Sequence, residues 1–202
     1  DYWGRWKALH YYAKRFFAPV MISCQEESWL TQEANMNRQH FEFEKSIWLN
    51  VTNETLADKE IQVKWYLRNA EAEILREETE IVSVPALTSV WLDKVELPEV
   101  DVFTEYVSFE AWEKGEKISE GTVIFSYPKY FKYEEPNLKW KVEGNTITVS
   151  ADTYAKSVEI LNENEDLVLS DNYFDLNGDS KTVEILRGKP ENIRVRSVFD
   201  IR

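Results

Sequence analysis

Three adjacent acid pairs are the first groups in this sequence that could do chemistry: Glu26-Glu27, Glu77-Glu78 and Glu134-Glu135. Hydrolysis by paired carboxylates needs two acids facing each other from converging walls. Neighbours on a strand point to opposite faces, so these pairs read as solvated surface and no catalytic residue is assigned. His10 and His40 have no serine nucleophile motif beside them and take no catalytic role. Asp175, Asn177 and Asp179 imitate the opening ligands of a calcium loop. The imitation breaks down: glycine comes at the fourth position instead of the sixth, and Leu186 stands at the twelfth, where a bidentate glutamate belongs. The stretch reads as an Asn-Gly turn, and neither a metal nor another cofactor is expected. Cys24, the single cysteine, reads as a small buried hydrophobe. The triplets Asn50-Val51-Thr52 and Asn53-Glu54-Thr55 would be glycan acceptors only in a secreted eukaryotic protein.

Aromatic residues are the remaining lead, since eight tryptophans, ten tyrosines and ten phenylalanines make up 14% of the chain. Exposed Trp and Tyr can stack sugar rings, but sandwich cores and domain interfaces use the same side chains. Trp65 shares parity with Ile61, Val63 and Leu67 and so belongs to a core. Trp48 and Tyr66 fall on the opposite parity of their strands, and Trp91 and Trp112 lie near strand ends. These four are candidates for an interface, the favoured use, or for a sugar-binding face.

The elements that must position these groups divide into one helix and many strands. Residues 5–17 (RWKALHYYAKRFF) lack a strand breaker, and Trp6, Leu9, Ala13, Phe16 and Phe17 recur at helical spacing. Pro19 stops the helix. Ala8, Tyr11 and Tyr12 project off that stripe, so the helix is expected to have a neighbour on each side. Beyond Pro19 the period becomes two. Phe41, Phe43, Ile47, Leu49 and Val51 share one parity, and after a polar NETLAD turn Ile61, Val63, Trp65 and Leu67 repeat it. Further strands are expected over 73–84, 90–97, 103–112 and 118–127, the last two joined across Gly115. After a break at PKYFKYEEP (128–136), short strands follow over 138–142, 146–151, 157–161, 167–169, 182–186 and 193–199. Two antiparallel sandwiches of the immunoglobulin-like kind result.

With 24 basic against 37 acidic residues the net charge is −13, which leaves no basic surplus for nucleic-acid binding. No apolar run approaches a membrane span in length, so neither nucleic acid nor membrane is an expected partner. The composition, 43% hydrophobic and 30% charged, suits a packed globular core.

The opening residues, DYWGRWKALHYYAKRFFAPV (1–20), resemble the end of the catalytic barrel in β-mannosidases of glycoside hydrolase family 2. The resemblance implies that residues 1–20 form the last helix of a truncated (β/α)8 barrel. Residues 21–132 would then be an immunoglobulin-like mannosidase domain, and 133–202, with its SDNYFDLNG segment, a small immunoglobulin-like C-terminal domain. In that family the acid/base and nucleophile glutamates of the retaining mechanism project from barrel strands upstream of Asp1, so none is carried over and this chain alone is expected to be inert. The parent would hydrolyse terminal non-reducing β-D-mannose residues, in a secreted, periplasmic or lysosomal compartment. The chain's partner would be the upstream barrel, with Trp3 on the substrate side of it. The aromatic helix is also expected to support a homodimer, and deleting residues 1–17 is expected to leave both sandwiches folded. An independent carbohydrate-binding module and an immunoglobulin-like interaction protein are the alternatives, neither of which needs the opening helix.

Overall fold

A computed structural model describes Tyr2, residues 4–32 and residues 43–201. The chain is mainly β and divides into two compact units, one of residues 17–69 and 73–132, the other of residues 1–16, 70–72 and 133–202.

The first unit contains β1 (Val20–Glu27), β2 (Ser46–Asn53), β3 (Lys59–Asn69), β4 (Ile74–Val84), β5 (Thr88–Trp91), β6 (Val95–Glu96), β7 (Glu105–Glu113) and β8 (Glu116–Ile124). One sheet runs β1-β2-β5 with β6 also on β2, and the other runs β4-β3-β7-β8. Alternation builds the core between them. Ile22, Ile47, Leu49 and Val51 face inward from the first sheet, and Ile61, Val63, Trp65, Val107, Phe109 and Ala111 from the second. The strands flanking NETLAD, consecutive in sequence, sit in different sheets: β2 pairs β1 and β5, whereas β3 pairs β4 and β7. Asn53 organises this crossover. Fully buried, it donates through Nδ2 to the carbonyls of Ala57 (2.9 Å), Val84 (3.1 Å) and Pro85 (3.1 Å), and its Oδ1 accepts from Thr55 N (3.0 Å) and Thr55 Oγ1 (2.7 Å). The β7–β8 hairpin turns on Lys114 and Gly115, both at positive φ (52° and 86°), the geometry that matches the twist of paired strands.

The second unit contains α1 (Ala8–Phe16), β9 (Lys139–Glu143), β10 (Thr146–Ser150), β11 (Tyr154–Leu161), β12 (Val168–Leu169), β13 (Phe174–Asn177), β14 (Ser180–Arg187) and β15 (Arg194–Arg196). Its sheets run β12-β14-β10-β9 and β13-β11-β15, with Ile147, Val149, Val183 and Ile185 packed against Val158, Ile160, Phe174 and Leu176. A bulge in β11 places Ser157 at φ 52°, and Asp175 Oδ1 accepts its freed N–H at 2.7 Å. The strands β1 and β13 carry no alternation long enough to have been read from the sequence; pairing to β2 and β11 makes them.

Of the two helix faces expected to be covered, the second sandwich takes the off-stripe one, with Trp6 partly buried beside it. Leu9, Phe16 and Phe17, members of the apolar stripe, are 74%, 60% and 86% exposed, while off-stripe Tyr11 is 1% exposed within the core of the second unit. Ala8, Tyr11, Tyr12 and Arg15, spaced i, i+3, i+4 and i+7, form the packed face. Polar tips decide this. Leu169 N–H donates to Tyr11 Oη (3.3 Å), Tyr12 Oη meets Ser157 Oγ (3.2 Å), and Arg15 grips the 171–173 turn. Its Nη2 donates to Asp171 Oδ1 and Asn172 O, both at 2.6 Å, and Nη1 to Tyr173 O at 3.2 Å. A simple apolar stripe offers no such partners to strand carbonyls and amides. The helix is thus part of the second core, which overturns the expectation that the sandwiches are indifferent to its loss.

Candidate functional site

The sequence grouped Trp48, Tyr66, Trp91 and Trp112 as one set of surface aromatics; the sheets separate them into two. Trp48 and Trp91 lie on the outer face of the β1-β2-β5 sheet, and Tyr66 and Trp112 on the outer face of the β4-β3-β7-β8 sheet. Those faces point away from each other across two layers about 10 Å apart, so no single small ligand touches both. Trp3 lies outside the described residues, as does His40.

The second pair is already occupied. Lys64 Nζ sits 4.9 Å over the Trp112 ring, and the Arg68 guanidinium 4.8 Å over Tyr66. Trp112 Nε1 donates to Glu110 Oε2 (2.9 Å), whose other oxygen accepts from Lys117 (3.3 Å). Burial first, and then the Glu110 carboxylate, raise the Tyr66 hydroxyl above its usual pKa. The first pair is open. The Trp48 and Trp91 rings are 4.5 Å apart between centroids and tilted 39°, Trp48 Nε1 is held by Leu92 O at 2.7 Å, and Trp91 is 46% exposed.

A further aromatic cluster was missed in the sequence. Trp29 stacks on Tyr130 (5.4 Å) and meets Phe103 (5.9 Å) and Tyr127 (5.7 Å) edge-on, with Lys129 Nζ 4.7 Å over Tyr130. Its only sequence signal was the aromatic-rich PKYFKY, which marked a boundary; Trp29 and Phe103 are far from it in the chain.

Within the second unit a recess of about 390 Å³ is lined by Arg5, Trp6, Tyr11, Glu159, Tyr173 and Arg196 among others. Several of its charges pair with one another. Arg5 pairs with Glu165 (3.1 Å), and Glu159 takes the Tyr173 hydroxyl (2.7 Å) and the Arg196 guanidinium. Burial, followed by the hydrogen bond to Glu159, raises the Tyr173 pKa well above the usual phenol range.

The acidic segment 171–179 serves the fold. Asp171 holds Arg15 and Lys181, Asp175 holds Ser157 N–H and Lys156 (3.6 Å), and Asp179 accepts from Asn177 N–H (2.9 Å). Among the described residues no group of three or more His, Cys, Asp or Glu side chains gathers as a metal site. Of the acid pairs, Glu77, Glu78, Glu134 and Glu135 are exposed, and Glu78 pairs with Arg76. Asn50 and Asn53, the two glycan-acceptor candidates, are 5% and 0% exposed in the middle and at the end of β2, and Asn53 uses both polar atoms internally. Cys24 packs against the first core; burial and then Glu26 push its thiol up to about 12.

Fold and surfaces together define a pair of immunoglobulin-like sandwiches. The comparisons sharpen this. Residues 45–130 match the Mannosidase Ig/CBM-like domain and residues 133–201 the Ig-fold domain of the mannosidase type, so the chain carries these two domains in tandem. Over 98% of its length the chain is similar to the β-D-mannosidase from Dictyoglomus thermophilum, at 17% identity and a TM-score of 0.71. Over 94% it is similar to the exo-chitosanase from Amycolatopsis orientalis, at 14% identity and a TM-score of 0.60. It covers 24% and 26% of those two chains, so it spans about a quarter of the structures it matches. At these identities the likeness is one of fold, consistent with a C-terminal region of such an enzyme. No curated protein sequence matches.

Proposed function

We propose that this chain is the non-catalytic C-terminal part of a β-mannosidase-like glycoside hydrolase, and that it supports a catalytic barrel lying upstream. The parent hydrolyses terminal non-reducing β-D-mannose with two glutamates outside this chain, and residues 1–20 are the end of its barrel. The two mannosidase-type domains in tandem and the quarter-length match support this reading. The observation that carries it is the division of α1. Its Tyr11 face is consumed by the second sandwich, while Leu9 and Phe16 on the other side remain 74% and 60% exposed. Apolar side chains of that size in one short helix fit a face that packs on a neighbouring helix.

The test has two arms. The purified 202-residue chain is assayed with p-nitrophenyl β-D-mannoside and β-D-glucosaminide, and no turnover of either is expected; turnover would end the non-catalytic reading. The barrel region is then expressed separately and mixed with the chain. Association that Leu9→Asp and Phe16→Asp abolish is expected, and association unchanged by both would refute the docking role of α1. Self-association of the chain lost in the same variants, without barrel binding, would transfer that face to a homodimer.

A further inference from the structure

We propose that the outer face of the β1-β2-β5 sheet is a binding site for a neutral hexopyranose chain, with Trp91 as its stacking platform. Several independent features of that face converge on this ligand.

The first is the company the indoles keep. On this face Trp48 lies opposite Gln25, Asn50 opposite Trp91, and Thr52 opposite Ser89. None of these six side chains is charged, in a protein where 30% of residues are. Charge enters at the Ser46 end of this face, where Glu27 and Glu96 lie opposite Ser46 and Lys94 pairs with Glu44 and Glu96. Beside the indoles a nucleic acid or an acidic peptide would find no counter-charge. A polyhydroxylated neutral ring needs none: its C–H face stacks on an aromatic and its hydroxyls take amide and hydroxyl partners.

The second is preorganisation. Trp48 is pinned by its hydrogen bond to Leu92 O, and Trp91 leans on it at 39°. Thr52 Oγ1 donates to Asn50 Oδ1 (3.0 Å) and meets Ser89 Oγ (3.0 Å), forming a fixed polar row beside the rings. Gln25 and Ser89 are exposed on either flank of the face. A site already in its bound geometry loses little entropy on filling.

The third is an internal control. The opposite face of the same sandwich also carries two aromatics, yet Arg68 and Lys64 cover Tyr66 and Trp112. One face satisfies its own rings, and the other leaves Trp91 open.

The experiment titrates the full chain with mannopentaose, cellopentaose and the cationic glucosamine pentamer, following tryptophan fluorescence and calorimetry. Saturable binding of a neutral pentamer is expected, weakened roughly tenfold by Trp91→Ala, the loss of one stacked ring. Trp112→Ala on the control face changes it by no more than about twofold, as befits a remote surface substitution. Amide NMR shifts of the unsubstituted chain on sugar addition are expected in β1, β2 and β5, which gives the location even if a variant misfolds. No saturation at millimolar sugar, shifts on another surface, or binding indifferent to Trp91→Ala would each overturn the proposal. So would preference for the cationic pentamer, or a dimer dispersed by Trp91→Ala without sugar binding. Failure here leaves the C-terminal reading of the chain intact, because the mannoside and barrel assays do not involve this face.

Discussion

Replacing Tyr11 with alanine distinguishes the two faces of α1 in one measurement. The ring is 1% exposed, lies 5.6 Å from Trp6 and 5.9 Å from Tyr173 between centroids, and accepts the Leu169 N–H at 3.3 Å. Removing a buried aromatic ring costs about 3–5 kcal/mol. Tyr11→Phe, which keeps the ring and deletes the hydroxyl that accepts the Leu169 N–H, costs about 1 kcal/mol. The second unit is a small sandwich, and at a total stability of roughly 5–15 kcal/mol for a typical domain the alanine variant removes a large share. For a domain of that size each kcal/mol moves the midpoint by about 4–8 °C, so Tyr11→Ala lowers the melting of this unit by roughly 12–40 °C. Leu9→Ala, on the 74% exposed side, changes stability by no more than about 0.5 kcal/mol. The assay is calorimetric unfolding together with hydrogen exchange of Thr146–Ser150 and Ser180–Arg187, the central pair of the unit's larger sheet. Equal shifts for Tyr11→Ala and Leu9→Ala would refute the anchoring role of the off-stripe face. Loss of exchange protection in β10 and β14 with Tyr11→Ala alone would establish it.

Other substitutions probe the first unit. Asn53→Ala strands buried carbonyls and the Thr55 N–H at the crossover and is expected to cost about 1–3 kcal/mol in urea unfolding; a cost near zero would mean that water replaces the amide. Gly121→Ala places a Cβ 2.6 Å from the buried Phe109 ring and should destabilise by about 1–3 kcal/mol, whereas an unchanged denaturation midpoint would show that the ring moves aside freely. Cys24, with its folded pKa pushed up to about 12 from 9.0, keeps its proton when the unfolded thiol has already lost it. Its contribution to stability is therefore complete below pH 9.0 and declines as pH rises toward 12. Cys24→Ser should remove that component of alkaline destabilisation, and maleimide labelling at pH 8 should need denaturant; rapid labelling of the native chain would contradict the burial.

Much of the strand pattern was legible because a half-buried strand writes its burial at period two. Ile47, Leu49, Val51, Ile61, Val63 and Trp65 are all inside, and Trp48 and Tyr66 are on the outer parity. Parity does not say which sheet a strand joins. That is why β2 and β3 look like neighbours in sequence while a buried asparagine sends them to opposite layers. The same gap hid the difference between the aromatic pairs: Arg68 and Lys64 reach Tyr66 and Trp112 only after the strands are in register.

Residue types and their periods determined that this chain is a helix followed by two β-sandwiches, with a net charge of −13, since those features are local or additive. Tertiary structure decided what each surface is for. It decided which helix face the second sandwich takes, because a tyrosine hydroxyl and an arginine fork found backbone partners that Leu9 and Phe16 could not use. It also left Trp91 open and covered Trp112, because burial and cation contacts are set by which strand lies beside which, a property of no single segment of the sequence.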